Sequence, residues 1–437
     1  MEDTNRVTFS LKVGLACLLV SLLILVRHPY RVFGTNMIWA LITVAIMFEY
    51  TVGATFNRGF NRALGSLFAG IFAVVFMQIA ASSGSTVAPY IIGFSIFLIG
   101  AITSFMKLWP SLIPYEYGLR VILFTYCLII ATGYRVGDPL RTAVDRLYSI
   151  AIGGAVAVLV NVLIFPIWAG EQLHNELIEH FNLVADSLEE CVEKYLNCDR
   201  TEPRDDDFHD EPAAYRKCRA ILTSSSNLNS LANSAKWEPP HGGFAHFAYP
   251  WKEYVSVGAV LRHCAYEVMA MHGCLHSQTQ ASYGRRCAFQ ADIVDAAAQA
   301  AELLRSLSRD IFDMTHRLHS APLDRVRSSA ERLQRSIDLQ SFLLAAASSG
   351  GDDSTKVVAA AERRRRRLRS WPSIEQQVED EGVELMKRRA CGCGAVAALS
   401  LATFASLLVE FVARLDRLVE SVDRLGRLAK FKRESAR

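Results

Sequence analysis

The chain runs to 437 residues, 51% of them hydrophobic, with 47 basic and 44 acidic side chains and a formal charge of +3 at pH 7. That apolar share is high for a water-soluble protein, and it is uneven. Up to Trp168, long uncharged runs follow one another, with eleven basic against six acidic residues (net +5), while the remainder carries 36 against 38 and is charged and Ala-rich. The pattern excludes a uniformly soluble chain and predicts an all-α polytopic membrane protein: a transmembrane domain over 1–168, then a helical cytosolic domain over 169–437. An excess of positive charge in the membrane half suits an anion path and equally suits a flank that attracts lipid headgroups.

Six spans are expected, at about 10–26, 37–54, 64–81, 89–106, 118–134 and 149–168, each near the roughly 20 residues needed to cross hydrocarbon. The stretch 13–26 lacks a small-residue cleavage site and meets Arg27 at once, so it reads as the first span and not as a signal peptide. Connections such as "ASSGSTVA" are short, so neighbouring spans pack as hairpins, and the small residues of "GSLFAG" and "IGGAVA" allow close helix contact. Charges near the span ends divide five against five between the two sides, so the positive-inside rule gives no orientation. An even number of spans with a cytosolic soluble half puts both termini in the cytosol.

Within the membrane half, "FEYTVGATFNRGFNRALGS" places Glu49 in the second span and Arg58 and Arg62 just after it. An intramembrane carboxylate needs a partner, and arginine is the natural one, so Glu49 reads as a structural residue holding a helix contact. Arg120 lies in the first turn of the fifth span. It either snorkels to headgroups or faces a wet cavity and offers fixed charge to an anion. Arg135, Arg141 and Arg146 crowd the next connection, where Asp138 and Asp145 stand at helix-pairing distance from Arg141. Surface pairing and a pore mouth are both open there.

Beyond residue 170, helices are expected over about 171–196, 213–232, 251–276, 287–318 and 323–346, with Val184, Leu188, Val192 and Leu196 marking one apolar stripe. "CDRTEPRDDDFHDEP" reads as an acidic loop, and a disordered linker is expected near 347–372, including the basic run 363–367. "AKWEPPHGGFAHFAYPWKEY" contains consecutive prolines that stop a helix, and aromatics able to pin the resulting turn; Trp237, Glu238 and Pro239 are its structural core. The uncharged stretch 390–408 is either a seventh span or the buried half of a long soluble helix continuing through Leu415, Leu418, Val422 and Leu425. The second reading is preferred. His272 and His276 share a helical spacing but lack an acidic third ligand, and "CGC" at 391–393 is weaker still, so no metal is expected. No phosphate loop, nucleophile elbow or zinc-protease motif is present in the sequence, so neither catalysis nor a cofactor is expected. Ten cysteines without framework spacing and the absence of an Asn-x-Ser/Thr sequon fit a reduced cytosolic half.

Four stretches, "FEYTVGATFNRGFNRALG", "GYRVGDPLRTAVDRLYSIAIGG", "FPIWAGEQLH" and "KWEPPHG", together resemble the plant aluminium-activated malate transporters, in order and spacing over nearly the whole chain. The resemblance implies an anion channel for malate and other anions, with six spans per subunit, a helical cytosolic domain and a homodimer around the pore. It also implies that basic residues of the fifth span and the following segment line or control the pore. The matching positions are Arg120, Arg135 and Arg146, with Arg62 as a further candidate for binding anions. The final-helix pattern supports the cytosolic reading of 390–408, and the short N-terminus leans towards the plasma membrane over the vacuolar one. The expected partners are therefore malate, other anions, membrane lipid and a second copy of the chain, and no nucleic acid. A proton-coupled exporter of organic or aromatic acids is the rival reading, with Glu49 as its only intramembrane carboxylate; a non-conducting scaffold is the third.

Overall fold

Backbone groups have no water to bond with in hydrocarbon, so apolar runs of this length close their hydrogen bonds internally as helices. The computed structural model describes residues 2–25, 37–84, 86–136, 139–197, 213–244, 249–275, 283–317, 319–348 and 393–433. It divides into two compact units, Met1–Leu173 with Asn229–Trp251, and His174–Leu228 with Lys252–Arg437. The segment around the tryptophan–proline motif thus groups with the apolar helices, although it follows them in sequence.

The first unit contains α1 (Glu2–Leu25), α2 (Met37–Met47), α3 (Val52–Ser82), α4 (Ala88–Lys107), a 3₁₀ turn (Pro110–Tyr115), α5 (Glu116–Val136) and α6 (Pro139–Leu163). Five of these helices are long and apolar enough to cross a membrane; α2, with 11 residues, is shorter. Here the structure corrects the expected spans. The second was expected to run to residue 54 and the third to begin at 64, but α2 stops at Met47 and α3 begins at Val52 and extends for 31 residues. The cause is local. Thr51 takes an extended conformation (φ −102°, ψ 152°) and its side chain accepts from the Ala54 amide, capping α3.

A break in a buried helix frees carbonyls that must find donors. Asn161 of α6 supplies them: its Nδ2 donates to Glu49 O (3.2 Å), Thr51 O (3.4 Å) and Thr55 Oγ1 (2.9 Å). Lys12 of α1, 1% exposed, donates to Phe165 O (2.7 Å) and Asn161 Oδ1 (3.4 Å). Packing follows the small residues. A Cβ on Gly153 of α6 would stand 2.5 Å from Ala40 O of α2, and one on Gly65 of α3 would stand 2.8 Å from Gly118 O of α5. One apolar cluster joins α1, α2 and α6 through Ala16, Val44, Met47 and Ala157, and another joins α3, α4 and α5 through Ala73, Ile99, Tyr126 and Ile129.

The second unit is built from α7 (Ala169–Asn197, from His174 on), α8 (Ala213–Thr223), α9 (Ser225–Ala235, to Leu228), α10 (Trp251–Leu275, from Lys252), α11 (Tyr283–Phe312), α12 (Ser320–Ser348) and α13 (Cys393–Leu428). A two-stranded parallel ladder, β1 (Thr315–His316) and β2 (Lys432–Arg433), pairs Thr315 with Lys432 and His316 with Arg433. The α7 stripe Val184, Leu188, Val192 and Leu196 is buried, as are Phe404, Leu408, Leu415, Leu418, Val422 and Leu425 of α13. Tyr195 stacks on Phe404 with ring centroids 3.8 Å apart. Two expected helices end differently: 213–232 is interrupted at Ser224, and 287–318 stops at Phe312, after which Met314 adopts a left-handed φ of 50°. The acidic loop over 198–212, His276, the linker from 349 onward, the run 363–367 and Cys391 lie outside the described residues.

Candidate functional site

The α2 helix carries no charge, yet two arginines from other helices lean on one of its turns. Arg62 of α3 donates through Nε to Thr43 Oγ1 at 3.3 Å, and Thr43 donates to Trp39 O at 2.8 Å. Arg146 of α6 lies over the Trp39 ring, with its guanidinium carbon 3.2 Å from the centroid. Both arginines are buried, at 8% and 9% exposure. The two guanidinium charges repel one another, and among the described residues neither has a carboxylate partner.

The helix geometry explains why they meet. Met47 fits against Gly59 of α3 and Gly154 of α6, which fixes a common level for the three helices. At 1.5 Å per residue, Arg62 and Thr43 then lie about 5–6 Å from that level, and Arg146 and Trp39 about 12 Å from it. The arrangement is a short ladder of positive charge running along α2. An unpaired guanidinium in a low-dielectric interior is costly; two together leave a deficit of negative charge that a mobile anion can fill.

The other expected positions fall elsewhere. Arg120 is exposed on α5 and pairs with Glu116 at 2.6 Å, so it does not join the Arg62–Arg146 pair. Arg141 is exposed, while the Arg135 side chain, Gly137 and Asp138 lie outside the described residues. Glu49 forms an ion pair with Arg58 at 2.5 Å. Trp39, Thr43, Lys12 and Asn161 carry no motif in the sequence; a lone lysine in an apolar run was the one available signal.

The motifs "FPIWAG" and "KWEPPHG" converge on Glu238. Its carboxylate accepts from the amides of Ala169 (2.6 Å), Gly170 (3.0 Å) and Gly53 (3.3 Å), so one side chain caps the starts of both α7 and α3. Burial pushes the Glu238 carboxyl above its ordinary range, against the pull of those three amides. Trp168 stacks on His241 with centroids 3.9 Å apart, and Trp237 packs on Phe60 at 5.1 Å. Gly53 and Gly170 leave no room for a side chain: a Cβ on Gly170 would stand 2.5 Å from the Trp251 ring, and one on Gly53 would run into Ser234 O. Among the described residues no group of three or more His, Cys, Asp or Glu side chains could hold a metal ion.

Comparison with known proteins matches residues 1–426 to the family described as aluminium activated malate transporter. Aluminum-activated malate transporters 14 and 12 of Arabidopsis thaliana are each 32% identical, over 99% of this chain and 87% of their own length. The member numbered 3 in the same Arabidopsis series is 35% identical, over 98% of this chain and 84% of its own.

Proposed function

The chain belongs to the aluminium-activated malate transporter family, and on that premise we propose that it is an anion channel passing malate, and inorganic anions with it, down their electrochemical gradient. The observation that carries this reading is the pair Arg62 and Arg146, buried in the membrane unit on one turn of α2 and, among the described residues, without a carboxylate partner. A dicarboxylate leaving water loses hydration, and fixed positive charge offsets that loss. Two charges at different depths let an anion exchange from one to the other, so neither has to bind tightly enough to trap it.

The functional unit is a homodimer in the plasma membrane, with both termini in the cytosol, and each subunit brings its own arginine pair. The exporter reading needs a carboxylate free to titrate on the path, and the intramembrane candidate, Glu49, is held by Arg58. The test is expression in oocytes loaded with malate, with reversal potential followed while external malate, chloride and nitrate are varied. A reversal potential that tracks the anion gradients at every pH supports the channel. Malate flux that requires a proton gradient overturns it in favour of the exporter.

A further inference from the structure

The corner between α4 and α5 carries a second basic feature, unlike the buried pair in every respect. Lys107, in the last turn of α4, and Arg120, in the first turns of α5, both reach one oxygen of Glu116: Lys107 Nζ stands 3.1 Å and Arg120 Nη2 2.6 Å from Oε1. Two cations on one carboxylate leave a net charge of +1. All three side chains are open to the surroundings, Lys107 at 40%, Arg120 at 64% and Glu116 at 37% exposure. The shared carboxylate holds the two heads at fixed positions across the turn, while the remaining lysine and guanidinium donors stay free to bond outward.

The surface around this cluster is apolar. Phe105, Leu108, Trp109 and Tyr115 are exposed at 64%, 81%, 53% and 47%, and Phe105 braces the Trp109 ring with centroids 5.8 Å apart. Exposed aromatics beside basic residues at a helix end are what a protein presents at the boundary between headgroups and hydrocarbon. A soluble anion would have to come to rest beside bare Leu108 and Phe105, whereas a lipid phosphate already sits at that depth with its chains on the apolar side.

We propose that Lys107 and Arg120 form a clamp for the phosphate of an anionic phospholipid, with Trp109 and Leu108 receiving the adjoining part of its acyl chains. The clamp rests on the membrane position of α4 and α5 and not on anion conduction, so a failure of the channel reading leaves it standing.

The experiment uses the full chain in nanodiscs of phosphatidylcholine with a minor fraction of phosphatidylglycerol, and quantifies lipid retained per chain after exchange into detergent. The wild type is expected to retain phosphatidylglycerol in preference to phosphatidylcholine. Each cation removed should cost about fivefold in that preference, so Lys107→Gln with Arg120→Gln should lower it roughly 25-fold. Arg120→Gln alone, which leaves Lys107 on Glu116, should lose the fivefold and guards against a double variant that fails to fold. Unchanged retention in correctly melting variants overturns the clamp. So does displacement of the lipid by inorganic phosphate at matched concentration, which would mark a site for free anions. Loss of retention in Arg62→Gln, with none in Arg120→Gln, would put the lipid at the buried pair and overturn it equally.

Discussion

The guanidinium of Arg146 lies 3.2 Å from the centre of the Trp39 ring, and the carbonyl of that same tryptophan takes the Thr43 hydroxyl on which Arg62 rests. Two charges from α3 and α6 are therefore positioned by one turn of a helix that has none. The ring face supplies partial negative charge, which holds the Arg146 guanidinium in place without neutralising it.

Arg62→Gln and Arg146→Gln should each lower malate current roughly tenfold or more at equal surface expression, tenfold being the effect of one unit charge about 12 Å away at an effective dielectric of about 20. Arg62→Glu should abolish the current. Two-electrode recording with surface biotinylation decides it: full current in Arg62→Gln would remove that residue from the path.

Trp39→Ala should raise the malate concentration needed for half-maximal current, with Trp39→Phe close to wild type, because the ring face is what the substitution removes. The cation–π contact sets the ceiling at about 2 kcal/mol, or roughly 30-fold. An effect on surface expression alone, with unchanged concentration dependence, would reduce Trp39 to packing.

Gly153→Ala should destabilise the purified chain by about 1–3 kcal/mol, the range for overpacking, because its new methyl would meet Ala40 O. Gly93→Ala is the matched control, since nothing stands within 4 Å of its Cβ position. The comparison is one of melting temperatures in the same detergent. Equal melting of the two variants would contradict the contact.

Glu238→Ala leaves three amides without their acceptor and should cost about 2–4 kcal/mol. Burial raises this carboxyl, so the folded chain binds more protons than the unfolded one above the ordinary carboxylate value. Glu238 therefore contributes a loss of stability as pH rises through that window. Glu238→Gln should flatten this part of the melting profile, and an unaltered slope would refute the assignment.

His174 and His180 are both pushed down to about 4 by burial. A neutral His180 makes its 3.9 Å approach to Glu176 a dipolar contact and not an ion pair. For a base with a depressed folded value, stability is fully present above its unfolded value near 6.5. It falls as pH drops from 6.5 towards 4. The two together should cost a few kcal/mol across that range, and His174→Phe, which leaves Tyr254 without its 3.2 Å partner, should melt with a shallower acid slope.

Much of this was legible in the residues. The α7 stripe at 184, 188, 192 and 196 is a helical period, and the apolar runs named their own helices. What hydropathy could not reveal was the interruption at 48–51, because Phe48 and Tyr50 look like any other span residues and only the extended backbone of Thr51 turns a threonine into a cap. Nor could it join Arg62 to Arg146, which lie on different helices and meet only because Gly59 and Gly154 both accept Met47. The end of α11 is similar: Met314 takes a left-handed backbone that no glycine announces. Lys12 stands out as a charge in an apolar run, but its partner Asn161 lies 149 residues away and carries no signal of its own.

The amide of Gly53 stands 185 residues ahead of the carboxylate that accepts it. A ribosome working at about 5–20 residues per second needs roughly 10–40 s to cover that distance. Throughout that interval α3 has already been made, and its Gly53 amide is waiting for Glu238. The membrane-facing unit is thus completed late in synthesis, by a segment translated well after its last apolar helix. A chain that stops short of residue 238 would release every one of those helices with the Gly53, Ala169 and Gly170 amides still without their carboxylate.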